Sequence, residues 1–231
     1  AALAHLRDWS EARTKAAPQP LVQLTPGVHT HEQSEWQTKQ WLASAGCPVA
    51  RGARVGLADL AAAPDAFPFP VVAKLDAAIA HKTEAGAVAL NLADGAALMD
   101  AARKMWARND ANPATDAILV EEMTTDAVAE ILVSLHADRQ MGWVMTIGAG
   151  GRDAELLNDV VQLILPASET DLRDAVAGLS IARRLDGWRG GPVADRNALI
   201  AFLLAFAGDA AVPSTFAEIE LNPVLVRPEG K

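Results

Sequence analysis

The chain has 231 residues, 51% of them hydrophobic and 21% charged, with both signs present. That length and apolar content suit one large domain or two small lobes and exclude a largely disordered polypeptide. A net charge of −9 without any Lys/Arg run argues against nucleic acid as a main partner.

Residues 1–29 read as a linker from an upstream domain, because Pro18, Pro20 and Pro26-Gly27 follow only a short amphipathic stretch. Thr30 with Gln33 forms a capping box for a helix carrying Trp36, Trp41 and Leu42, and Gly46-Cys47-Pro48 stops it. Both tryptophans read as core residues in preference to stacking groups for a base. Cys47, the single cysteine, forms no internal disulfide; it fits a reducing compartment and reads as a small apolar residue. Asp59–Ala66 is expected to be a short helix, with strands at Val71–Leu75 and Ala87–Leu92. Asp94 caps a helix to about Arg108, and Ala117–Glu121 is a strand. Ala129–His136 and Gly142–Ile147 form a hairpin around a polar turn at 137–140, and a glycine-rich turn, Gly148–Gly151, follows. The stretch Arg152–Leu165 is a polar and apolar mixture. Ser168 with Asp171 caps a helix to about Leu185, and Asp195 caps the last helix, which ends near Gly208. Its apolar run, Ala198–Ala207, is about half of what spans a bilayer, so no membrane partner and a cytoplasmic location are expected. Strands Phe216–Leu221 and Val224–Arg227 close the chain. Strands mixed with helices and hairpins predict an α+β fold of two lobes.

Two stretches carry chemistry. In the first, Lys74 is the one cation on an apolar strand, and His81-Lys82 and Gly86 lie in the loop that follows. A fixed cation beside close-approaching backbone N–H groups is a cradle for phosphate. Two roles stay open to His81: a loop histidine bonded to backbone, or a neutral nucleophile beside Lys82 that becomes a phosphohistidine. In the second, alternation puts Glu218, Glu220 and Asn222 on one strand face, about 6–7 Å apart. This is either a solvated face or a set of hard oxygen ligands for Mg²⁺. Asp159 and Glu155 are either partner carboxylates or acids at an exposed helix start. Glu121-Glu122-Met123 is either an ordinary strand exit or a hinge whose backbone meets an adenine. Glu130 is placed to hold a ribose hydroxyl or to orient Lys74. His136 reads as structural.

The order of these segments carries a resemblance. Pro70-Val71-Val72-Ala73-Lys74, Ile79–Gly86, Val120–Met123, Gly148–Gly151 with Glu155 and Asp159, Leu165-Pro166, Arg189–Pro192 and Glu218–Pro223 occur in one sequence. Together they resemble the ATP-grasp domain of the ADP-forming (NDP-forming) acyl-CoA synthetases, relatives of the succinyl-CoA synthetase beta subunit. The resemblance implies an ATP-grasp domain over 30–231, with lobe one about 30–120 and lobe two about 121–231 clasping Mg-ATP or Mg-ADP. It implies that Lys74, with Lys82 and Gly86, contacts phosphates, that Glu121, Glu122 and Met123 form the adenine hinge, and that Glu130 is part of the nucleotide site. Glu220 and Asn222 match the family's metal ligands, with Asp159 as acidic partner. His81 matches a loop histidine that relays phosphate. The implied activity is that of an acid-thiol ligase making acyl-CoA reversibly with ADP-forming chemistry. CoA-binding and ligase domains, in the same polypeptide or a partner subunit, would bring the carboxylic acid and CoA, and an oligomer is expected. Departures are Asp76-Ala77-Ala78 where the family usually has Ser-Pro, Ala85-Gly86-Ala87 for Gly-Gly, and Ala129 and Ser134 for glycines. Two alternatives stand beside this: a non-catalytic nucleotide- or acyl-CoA-sensing domain of a protein acetyltransferase, and a ligand-free structural module.

Overall fold

The computed structural model describes residues 33–56, 58–60, 67–76, 86–108, 117–151, 158–208 and 216–231. Helix α1 (Glu35–Ser44) leads into strand β1 (Gly52–Gly56). Strands β2 (Val71–Leu75) and β3 (Val88–Leu92), helix α2 (Gly95–Arg108) and strand β4 (Ala117–Glu122) follow. These strands make an antiparallel sheet in the order β1-β4-β2-β3. Then come β5 (Ala129–Asp138), β6 (Gly142–Ala149), β7 (Val160–Ile164), α3 (Glu169–Gly178), α4 (Ala182–Leu185), α5 (Arg196–Gly208) and β8 (Glu218–Val226). The second sheet is also antiparallel, in the order β7-β6-β5-β8.

Each sheet buries one face under helices, as alternation along its strands requires. In the first, Val71, Ala73, Leu75, Ile118 and Val120 pack on Leu98, Ala102 and Met105 of α2. In the second, Ile131, Val133, Leu135, Met145, Ile147 and Ile219 pack on Leu172 and Val176 of α3 and on Leu199, Leu203 and Phe206 of α5. Full burial of such side chains contributes about 1.5–3 kcal/mol each. Helix α1 joins this second core through Leu42, and Trp41 meets Phe206 and Phe216 edge-on at 6.2 and 5.2 Å. Trp41 is therefore a packing residue, and Cys47 is buried beside it. No helix among the described residues is long and apolar enough to cross a membrane.

Several boundaries differ from the sequence reading, each for a physical reason. The capping box of α1 is Ser34 with Gln37, four residues beyond the expected Thr30 with Gln33. Thr30 itself lies outside the described residues, and Gln33 precedes the helix. Strand β1 was not anticipated; it is short and glycine-bounded, and it exists because β4 pairs with it along its whole length. Strand β7 emerges from the stretch read as a mixture because an edge strand alternates exposed and half-buried positions. The helix expected over Ser168–Leu185 breaks at Leu179, which is extended (φ −76°, ψ 146°). The two final strands are one, β8, whose register against β5 shifts where Asn222-Pro223 interrupts the pairing. Of the expected helix Asp59–Ala66, residues 61–66 lie outside the described residues.

The connection from β4 to β5 is pinned by a bidentate pair. Arg227 donates from Nε to Asp126 at 2.7 Å and from Nη2 at 2.8 Å. The Arg227 guanidinium holds the Asp126 carboxyl below its ordinary value of 3.8. A carboxyl whose folded value is depressed stabilises the fold above its unfolded value and loses that contribution as pH falls through the folded value. In Arg227→Gln, the Asp126 titration followed by NMR is expected to move back up towards 3.8. An unchanged titration would show that the guanidinium is not the cause.

Candidate functional site

The face of the first sheet turned away from α2 is charged, and the start of α1 lies against it. Pairing puts Lys74 and Arg54 opposite Leu119, and Val72 opposite Glu121, so Arg54, Lys74 and Glu121 share that face. Lys74 Nζ lies 2.9 Å from Glu121 Oε2 and 2.5 Å from Glu35 Oε1. Lys39 Nζ pairs with the other Glu121 oxygen. Glu121 is only 4% exposed, so its charge is tolerable only because two ammonium groups meet it. Asp76, just past β2 and 3% exposed, accepts from Arg54 Nε at 2.7 Å, Ser34 Oγ at 3.2 Å and the Trp36 N–H at 3.2 Å. The start of α1 is thus fastened to this face, while its far end packs in the second core.

The second sheet leaves one face open. Glu220, Ser134, Thr146 and Gln162 form one cross-strand row, and Glu218, His136, Val144 and Ile164 form the next. At the end of β6 the chain turns through Gly148–Gly151. Gly150 donates to the Glu130 carbonyl at 2.8 Å, and Gly151 donates to Asn222 Oδ1 at 2.9 Å. Gly151 has φ +77°, and a Cβ there would collide with the Glu130 carboxylate. Glu130, Asn222 and the glycine-rich turn therefore form one cluster, with Glu220 two residues before Asn222 on β8.

Asp159 is not brought to Glu220 or Asn222. Val160 points to the open face, so Asp159 turns to the helix side. There its two oxygens accept from the Ser180 and Ile181 N–H groups, both at 2.9 Å. These bonds also explain why the helix breaks near Leu179. Lys74 is oriented by Glu121 and Glu35, whereas Glu130 lies against Gly151. Glu122 pairs with Arg51 at 2.9 Å, its N–H donates to the Arg51 carbonyl, and the Met123 N–H donates to the Pro70 carbonyl. Gly86 has φ +65° and sits against the Arg108 guanidinium. His81, Lys82 and Glu155 lie outside the described residues. Among the described residues no three His, Cys, Asp or Glu side chains group as a metal site. Glu220 and Asn222 still suit Mg²⁺, which needs only one or two protein oxygens when phosphates and water complete its shell. Sequence reasoning missed Glu35, Lys39, Arg54 and Asp76. The one available signal was the i, i+4 spacing of Glu35 and Lys39, which puts both on one helix face.

Two antiparallel sheets, each backed by helices and each presenting a polar face, are the architecture of an ATP-grasp domain. The ATP-grasp domain family model matches residues 28–231, and the chain belongs to that family. It is 29% identical to the beta subunit of an ADP-forming acetate–CoA ligase II from Pyrococcus furiosus, over 85% of this chain and 86% of that subunit. It is 34% identical to a trans-feruloyl-CoA synthase from an unknown prokaryotic organism, over 74% of this chain and 25% of that protein. The chain spans about a quarter of the length of the first curated relatives it matches. Among solved structures it resembles the dinucleotide-forming acetyl-coenzyme A synthetase 1 of Ca. Korarchaeum cryptofilum in complex with coenzyme A and Ca-AMPCP. That match has 28% identity and a TM-score of 0.76, over 85% of this chain and 88% of that one. Another structure of the same synthetase holds Mg-AMPPCP, with a phosphohistidine segment pointing towards the nucleotide binding site (27%, TM-score 0.70, 85% of this chain and 88% of that one).

The glycine-rich turn gives a direct stability test. A Cβ on Gly150 would stand 2.7 Å from the Ile131 carbonyl carbon and 2.8 Å from the Leu132 nitrogen, both backbone atoms that cannot swing aside. Gly150→Ala is expected to destabilise the fold by about 1–3 kcal/mol in urea denaturation. A change below about 0.5 kcal/mol would mean that the turn has room to shift.

Proposed function

We propose that this chain is the nucleotide-binding domain or subunit of an ADP-forming acyl-CoA synthetase. The observation that carries the reading is its match, nearly end to end, with a beta subunit of such a ligase. The polar faces of the two sheets supply the chemistry such a subunit needs. Lys74 would meet the phosphates, and Glu130, beside the glycine-rich turn, would meet the ribose hydroxyls. Glu121, Glu122 and Met123, where the chain crosses from one sheet to the other, would meet the base, and Lys82 and Gly86 would close the phosphate loop. Glu220 and Asn222 would hold Mg²⁺, which supplies charge neutralisation on the phosphates when bound. Asp159 serves the fold, because its carboxylate is committed to Ser180 and Ile181.

The chemical step in this reading belongs to His81. An imidazole nitrogen bonds to the γ-phosphorus, the bond from that phosphorus to the bridging oxygen breaks, and ADP leaves; the reverse step regenerates ATP. Such a transfer depends on in-line positioning and charge neutralisation more than on covalent help from other side chains. CoA-binding and ligase domains of a partner subunit or a longer polypeptide would then take the phosphate and join acid to CoA. The chain alone would bind nucleotide without completing the ligase reaction. The expected assembly is an oligomer with those domains in the cytoplasm.

Calorimetry tests the reading. Mg-ATP and Mg-ADP are expected to bind with dissociation constants near the micromolar range, about −8 kcal/mol. Lys74→Ala should abolish detectable binding, and Glu220→Gln should weaken it when Mg²⁺ is present. With the partner domains added, His81→Ala should take up no acid-labile phosphate from γ-labelled ATP. No binding by the intact chain, or equal binding by all variants, would overturn the proposal.

A further inference from the structure

We propose that the exposed turn around Trp188 is a docking surface for a protein partner, and that the partner is a carboxylate-bearing face of the CoA-binding and ligase domains. The inference rests on the reading that such domains accompany this chain.

The turn joins α4 to α5. Leu185 anchors α4 in the second core, and Trp188–Gly190 form a single tight turn beyond it. Trp188 and Val193 are 52% and 53% exposed, and Arg183, Arg184 and Arg189 are exposed as well. Two guanidiniums lie over the Trp188 ring, with Arg183 Cζ 5.9 Å and Arg189 Cζ 5.6 Å from its centre. A guanidinium held by an aromatic ring still has N–H donors for an outside carboxylate. Arg189 adopts φ +54° and ψ 34°, the left-handed region that favours glycine. The backbone here would be easier without a side chain, so the use of this arginine lies in its guanidinium.

No acid of the chain answers these cations. Among the described residues, Arg183, Arg184 and Arg189 have neither an ion pair nor a side-chain hydrogen bond. Asp186, on the same turn, is paired with Arg196 at 3.0 Å, and Asp195 caps α5 through the Ala198 N–H at 2.8 Å. In a chain of net charge −9, three unpaired guanidiniums on one short stretch are a local excess of the opposite sign. A face carrying carboxylates complements it.

The apolar groups decide the kind of partner. A small anion would pair the guanidiniums and leave Trp188 and Val193 in water. A protein face covers both, and tryptophan and arginine are the residues that dominate binding energy at protein interfaces. A two-fold pairing of this turn with itself would set arginine against arginine, which disfavours a second copy. Arg189–Pro192 is also the one ordered family segment beyond the cis-Pro Leu165-Pro166 that nucleotide binding does not use. The turn follows a helix packed on the buried face of the second sheet, whereas Glu220 and Asn222 lie on the open one. A partner can therefore hold here while nucleotide occupies the open face.

The test mixes the full chain with the polypeptide that carries the CoA-binding and ligase domains and follows association by sedimentation velocity at low and high salt. Calorimetry with Mg-ADP on the chain alone runs beside it. Trp188→Ala and Arg183→Glu are each expected to weaken association about tenfold or more. Salt should weaken the wild-type complex and affect Arg183→Glu less. Mg-ADP affinity should be the same in wild type and both variants. Arg189→Gly separates docking from folding: association falls while the thermal midpoint holds or rises, whereas a purely structural arginine would lower the midpoint and leave association alone. No association by wild type, or association indifferent to Trp188→Ala and Arg183→Glu, overturns the proposal. Self-association of the chain that these variants abolish also overturns it, because the occupant is then a second copy. If association responds as expected and no form binds Mg-ADP, the nucleotide reading falls and the docking surface stands.

Discussion

A carboxylate taken out of water must be neutralised where it sits, and Glu121 is that constraint in this protein. It is buried at the end of the central strand β4, and two lysines from different elements converge on it. One comes from the neighbouring strand β2 and the other from helix α1. Removing either would leave a charge poorly paired in a site with little water, a cost of about 3–5 kcal/mol when a buried pair is broken outright. The need to pair Glu121 therefore fixes where the side chain of Lys74 stands and where α1 crosses the sheet.

Helix α1 carries this constraint from one core to the other. Its first two turns are bound by Lys74 and Glu121 of the first sheet and by Asp76 just past β2. Its last turn delivers Trp41 and Leu42 to the second core, against Phe206 and Phe216. The interactions at its two ends differ in kind. Apolar packing at the far end is non-directional and hard to undo locally, whereas the ion pairs at the near end can be exchanged for other ions. A helix anchored in this way links the charge state of the first sheet to a packed element of the second.

The second sheet solves a different problem, that of turning a strand end without burying backbone groups unpaired. A side chain at Gly150 would meet the backbone of β5, one at Gly148 would meet Asp159 and Val160 at the start of β7, and the freed N–H groups of Gly150 and Gly151 go to the Glu130 carbonyl and Asn222 Oδ1. Asp159, next to this turn, takes two N–H groups from the break after α3. The open face beside it keeps Glu220 exposed, and an exposed carboxylate next to a backbone turn is the natural place for a phosphate-bound cation.

Much of this was legible in the sequence, because the signals are local. Alternation placed Glu218, Glu220 and Asn222 on one polar face of their strand, Lys74 stood out as the one cation on an apolar strand, Asp94 and Asp195 marked two helix starts, and the ordered motifs pointed to the family. Capping was legible in kind but not in place, since Ser34 with Gln37 offers the same motif as Thr30 with Gln33. What the tertiary structure alone decided is which charges meet. Spacing along the chain cannot show that Glu35 reaches Lys74, 39 residues on, that Lys39 reaches Glu121 on a later strand, or that Asp76 gathers Arg54, Ser34 and Trp36. Nor can it show that Asp159 faces the helices while Glu220 faces away from them. An ion pair is set by distance in space, and only the packing of α1 on the first sheet and of α3 and α4 on the second brought those groups within reach.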